Sequence, residues 1–287
     1  MFSYLEIIIN LIGVFFAIFS CFINIFNLKK LEKKKEDMVL FYFRFFLDAF
    51  FGATILFFFA SSIASNFSAE EIVIKLIYLS GLLGTLVGRA RAAVTLMITV
   101  ERILAVFTPI FYRNYRPLIS NLAILSLIVG YGLFDYLIMR FLCDFKFVIP
   151  TNCITAGCSM NLCSSQYWAT SKTVIIAFTF LFAIMLSLKL LWKVIKEKNK
   201  DFNNANRLAL IDAAIIFLFD ISSSIISYYV IKINNGGPIT AALKQFGCVI
   251  EALLVFRTIT RKTRVVKIGK SDVIASHAKG HNKQPTF

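Results

Sequence analysis

Histidine is almost absent from this 287-residue chain, which holds two, His277 and His281, both near its C-terminal end. Acidic residues are also few, 16 Asp and Glu against 31 Lys and Arg. Membrane hydrolases and desaturases need histidine clusters or paired catalytic acids at helical spacing, so no enzyme and no cofactor is expected. The four-residue spacing of His277 and His281 would suit a metal on a helix. The polar stretch around them, with Gly280 and Pro285, reads instead as disordered, and no metal site is expected. A phosphate-cradling loop is missing too, since Gly269-Lys270-Ser271 lacks the upstream glycine. There is no CxxC pair, no internal repeat and no low-complexity segment. The first apolar run starts at Met1 and Phe2 with no basic stretch before it and is about as long as a membrane span. It reads as a span and not as a cleaved signal.

Apolar residues are what the chain has in excess. They make up 58% of it, with a mean hydropathy of +0.76 and 31 Phe spread from end to end. A soluble domain is nearer half apolar, and crossing the hydrocarbon takes about 20 apolar residues per helix. Seven runs qualify: Leu5 to Leu28, Met38 to Ala64, Ile72 to Thr108, Ile119 to Leu142, Trp168 to Trp192, Leu208 to Ile231 and Ile239 to Phe256. The expected fold is all-α, a seven-transmembrane helix bundle. Residues 1–256 form the membrane domain and residues 257–287 a basic cytoplasmic tail, partly disordered.

Lysine and arginine set the expected orientation. The net charge is +15, and its basic residues lie in clusters between apolar runs, not along one nucleic-acid-binding face. Nucleic acid is therefore not an expected partner. Lys29, Lys30, Lys33, Lys34 and Lys35 follow the first span, and Arg113 and Arg116 the third. Lys193, Lys196, Lys198, Lys200 and Arg207 follow the fifth, and Arg257, Arg261, Lys262 and Arg264 the seventh. The alternate loops are poor in positive charge, so the N-terminus is expected outside and the C-terminus inside. Membrane lipids are expected partners of the basic clusters. Two features agree with this orientation. Asn66-Phe67-Ser68 is an N-glycosylation sequon in a loop expected outside. Four of the six cysteines, Cys143, Cys153, Cys158 and Cys163, fall in the long loop on the same oxidising side, where two disulfides with three possible pairings are expected.

The stretch Glu101-Arg102-Ile103-Leu104-Ala105-Val106-Phe107-Thr108-Pro109-Ile110-Phe111-Tyr112 closes the third span. It resembles the end of the third helix in rhodopsin-like receptors, where an acidic-Arg pair is followed by a Pro seven residues on and a Tyr ten residues on. Glu101-Arg102, Pro109 and Tyr112 keep those spacings. Continued through Asn114-Tyr115-Arg116, and with Tyr167-Trp168 after the Cys-rich loop, the pattern is similar to the nematode serpentine chemoreceptors of class Srbc. That resemblance implies a heterotrimeric G protein as partner, with Arg102 and Ile110 engaging it, and a small odorant or pheromone-like ligand. It also implies a plasma-membrane location in the cilia of sensory neurons. The chain differs from rhodopsin-like receptors in having Ile103 for the aromatic of the triad. It has no Pro in the sixth span and no Asn-Pro-x-x-Tyr in the seventh.

Several charges fall inside the apolar runs: Asp48, Arg89, Arg91, Asp135, Arg140, Asp220 and Glu251. Each costs at least about 2.5–3.5 kcal/mol near mid-bilayer unless partnered. At 100° per residue, the eleven steps from Arg91 to Arg102 make three turns plus about 20°, so the two share a face. Arg89 points to nearly the opposite side. Arg91 is expected to pair with Asp48 or Glu251, with Arg44, one turn from Asp48, competing for it. Tyr78, Tyr228, Tyr229 and Gln245 are candidate walls of a ligand pocket. The rival function is a small-molecule transporter or ligand-gated channel. Gly81, Gly84 and Gly88 have the small-residue spacing of helix packing, and an odd span number does not divide into the paired halves usual in transporters.

Overall fold

The computed structural model describes residues 4–30, 39–67, 71–145, 161–197, 210–211, 214–215, 217–219 and 238–258. Among these the regular structure is entirely helical, as hydrocarbon demands of a backbone that must satisfy its own hydrogen bonds. The elements are α1 (Tyr4–Lys30), α2 (Val39–Ala64), α3 (Glu71–Phe107), the short α4 (Pro109–Tyr115), α5 (Asn121–Leu142), α6 (Leu162–Glu197) and α7 (Pro238–Thr258). All but α4 are long and apolar enough to cross a membrane. Of the expected span Leu208 to Ile231, only helical residues between 210 and 219 are described.

Helices in lipid gain nothing by burying leucine against leucine, so close approach and hydrogen bonds decide which faces meet. α1 shows this directly. Its buried stripe is Asn10, Gly13, Ala17, Ser20, Ile23, Asn24 and Asn27, while Phe15, Phe22 and Ile18 face outward. Asn10 donates to Ser62 Oγ at 3.3 Å and Asn27 to the carbonyl of Ala252 at 3.1 Å, joining α1 to α2 and α7. Gly13 leaves room for the Phe59 ring, and a Cβ on Gly52 would stand 3.3 Å from the Ala17 carbonyl oxygen. The apolar core behind this seam is mostly α2 and α3, with Phe41, Phe45, Phe51, Phe59, Val94 and Ile98 all buried.

α3 is the central helix, packed on α2, α5 and α6. Its 37 residues run about 55 Å at 1.5 Å each, well beyond a hydrocarbon core of about 30 Å. It stops at Thr108, whose hydroxyl turns back to the Leu104 carbonyl at 3.0 Å. Pro109 does not leave Ile110 on a loop: it opens α4, because a proline at the first helical position gives up only an N–H that has no partner there.

α6 begins earlier than Trp168, the expected start. Asn161 caps it by accepting from the Ser164 amide at 2.8 Å, and its own amide nitrogen donates to the Cys143 carbonyl. Cys143 is bonded to Cys163 across this junction, with 5.4 Å between the Cα atoms. Of the loop cysteines, Cys163 thus sits in the first turn of a helix. Cys153 and Cys158 lie outside the described residues.

Candidate functional site

α3 carries three sets of buried charges, each serving a different neighbour. The first lies between α2, α3 and α7. Arg44 and Asp48 stand one turn apart on α2 and meet at 2.6 Å. Arg91 donates through Nε to the same Asp48 oxygen at 2.5 Å and through Nη2 to Glu251. Arg44 reaches Glu251 at 3.1 Å and closes the circuit. Two guanidiniums and two carboxylates therefore alternate in a ring with no net charge. All four are buried, Arg44 at 1% exposure, and the Phe51 ring faces the Arg91 guanidinium. Arg44 does not displace Arg91 from Asp48, because a carboxylate oxygen has lone pairs for both donors.

The second set faces the other way, as 200° of helical rotation between Arg89 and Arg91 requires. Arg89 pairs with Asp135 of α5 and lies over the ring of Tyr167, whose hydroxyl donates to Asp135 at 2.5 Å. One buried carboxylate thus gathers α3, α5 and α6.

The third set closes the end of α3. Glu101 is 7% exposed and Arg102 3%. Arg102 Nη2 stands 3.4 Å from one Glu101 oxygen, and its guanidinium lies over Phe41. The other Glu101 oxygen accepts from Arg116 Nε. Arg116 belongs to the 3₁₀ turn Arg116–Leu118 that follows α4. Its remaining nitrogens donate to the Ile119 carbonyl at 3.0 Å and to Asn121 Oδ1, and Tyr112 faces it. Partial burial opposes its charge, yet Glu101 and Tyr112 together outweigh this and hold the guanidinium's pKa above its ordinary value. Beside this cluster α4 displays Ile110, 78% exposed, and a stacked Phe111–Tyr115 pair.

In the sequence Arg116 is a loop charge and the end of the Srbc-like pattern, with nothing to connect it to Glu101, from which α4 separates it. Nor does the sequence join Arg89 to Asp135. At the opposite end, Tyr78 and Gln245 are fully buried, and the Gln245 amide has no hydrogen-bond partner among the described residues. Tyr228 and Tyr229 lie outside the described residues. Asn66 donates its amide nitrogen to the carbonyls of Ser62 and Ile63, closing the end of α2. No cluster of three metal-ligating side chains occurs among the described residues.

The buried charge ring ties α2, α3 and α7 together, and Arg102 closes the end of the long central helix against Glu101 and Phe41. Comparison with curated proteins finds no match. The family described as serpentine type 7TM GPCR chemoreceptor Srbc matches residues 2–263. The chain, a multi-pass membrane protein, belongs to that family of seven-transmembrane chemoreceptors.

Proposed function

We propose that this chemoreceptor binds a small odorant or pheromone-like ligand at its Cys143–Cys163 end and activates a heterotrimeric G protein at its Glu101–Arg102 end. In this reading the N-terminus is outside, the C-terminal tail from residue 257 is cytoplasmic, and the protein sits in the plasma membrane. The ciliary membrane of sensory neurons follows from family likeness. Tyr78, Gln245, Tyr228 and Tyr229 line the ligand site, and Asn66 is the glycosylation candidate.

The observation that carries the reading is the pairing of a withheld cation with an exposed apolar anchor. Arg102 is buried against Glu101 and Phe41, while Ile110 stands out on α4 a short distance along the chain. A guanidinium is a planar fork of five donors suited to backbone carbonyls on an entering helix. An apolar side chain standing out of a polar surface marks an interaction site when it forms part of a patch. Ile110, Phe111, Tyr115 and Leu118 are all exposed on α4 and the turn after it, and the Phe111 and Tyr115 rings stack.

The test is a ligand screen of the expressed receptor with a second-messenger readout, run beside Arg102→Ala and Ile110→Ala. Both variants are expected to reach the surface and bind the screened ligand like the parent while losing signalling. Parent-like signalling from both, at matched expression, would overturn the coupling mechanism.

A further inference from the structure

We propose that Arg116 is the standing counter-ion of Glu101, the residue that allows Arg102 to leave its resting place. The proposal rests on the reading of this end of the bundle as the coupling face. Its first test does not.

Glu101 is buried, and a buried carboxylate stripped of its cation is costly. Were Arg102 its whole support, every departure of Arg102 would strand that charge, and the pair would stay shut. Two guanidiniums share Glu101 instead, one on each oxygen. The contact with Arg102, at 3.4 Å, is longer than the 2.7–2.9 Å usual for a charge-assisted hydrogen bond. Arg116 holds the other oxygen closely. It is also fixed where it stands, because its two remaining nitrogens are tied to the Ile119 carbonyl and Asn121 at the start of α5. It therefore stays when Arg102 moves, and Glu101 remains neutralised in both positions. Arg116 is a positioning residue: it touches no partner itself and acts by setting how tightly Glu101 holds Arg102.

This assigns opposite signs to two substitutions in one contact. Arg116→Gln keeps hydrogen bonding but removes the charge, so Glu101 turns wholly to Arg102 and tightens on it. Glu101→Gln loosens Arg102 whatever stands at 116. The first measurement is phenylglyoxal labelling of Arg102, followed by mass spectrometry on purified receptor in lipid nanodiscs. Labelling is expected to slow by about tenfold or more in Arg116→Gln, the scale of one charged hydrogen bond. It should recover partly in Arg116→Lys and rise above the parent in both Glu101→Gln and the double variant. Unchanged labelling in Arg116→Gln overturns the proposal. So does slow labelling that Glu101→Gln fails to reverse, which would give Arg116 only a role in folding the turn. The second measurement is basal nucleotide exchange on added heterotrimeric G protein, expected to follow the same order. If labelling follows that order and exchange does not respond, Arg116 keeps its assignment and the coupling reading fails.

Discussion

A guanidinium that loses its carboxylate inside hydrocarbon has no water to turn to. Each member of the ring of Arg44, Asp48, Arg91 and Glu251 has two partners of opposite charge, so a single deletion leaves a surplus charge at a buried depth. Glu251→Ala or Arg91→Ala is expected to cost about 3–5 kcal/mol, the range for breaking a buried pair. Removing both at once, as Arg91→Met with Glu251→Leu, leaves Arg44 and Asp48 neutral on their own helix. That double variant should be more stable than either single one. Thermal unfolding of the four proteins in detergent would decide. A double variant no better than the worse single would mean the ring is not an energetic unit.

At the scale of the element, the polar stripe of α1 does the work that leucines do in a soluble bundle. Gly13 admits the Phe59 ring, which is itself fully buried and has nowhere to go. Gly13→Val should therefore destabilise the bundle by about 1–3 kcal/mol, the usual scale of overpacking. The same change at Gly130 of α5, where an added Cβ meets nothing within 4 Å, should be nearly silent. Equal losses of melting temperature at the two sites would refute this account of the α1–α2 contact. The junction of α5 and α6 makes a second prediction. Cys143→Ser should lower thermal stability and leave Cys163 open to thiol reagents on intact cells, whereas the parent's Cys143 and Cys163 should stay unreactive.

The helices were legible because each span is an apolar run, and hydropathy finds apolar runs. Their ends were less so. α6 starts among Cys163, Ser164, Ser165 and Gln166, which carry little hydropathic signal; a capping asparagine and a disulfide set that start instead. The charges divide in the same way. Helical rotation fixes that Arg91 and Arg102 share a face and that Arg89 lies opposite, because that is arithmetic within one helix. Which carboxylate each meets depends on the relative height of different helices. Nothing local encodes that Arg91 meets both Asp48 and Glu251, or that Arg116 folds back fifteen residues to Glu101.

For the molecule as a whole, the lysine and arginine asymmetry makes the topology testable. An epitope tag at the C-terminus should stain only after permeabilisation, and one at the N-terminus on intact cells. Staining of the C-terminal tag on intact cells would reverse the proposed orientation and with it the assignment of the Glu101 end to the G protein.

The charge ring also has a history in time. A chain leaves the ribosome in order, so Arg44, Asp48 and Arg91 enter the bilayer long before Glu251 has been made. Until then the three carry a surplus positive charge, and Asn27 waits for the Ala252 carbonyl as well. The half-made protein is thus chemically incomplete in a way that α7 mends. Chains halted before residue 238 should linger with membrane chaperones and be degraded, and supplying residues 238–258 as a separate segment should rescue them. α7 would then act as the cell's signal that the charge ring is complete.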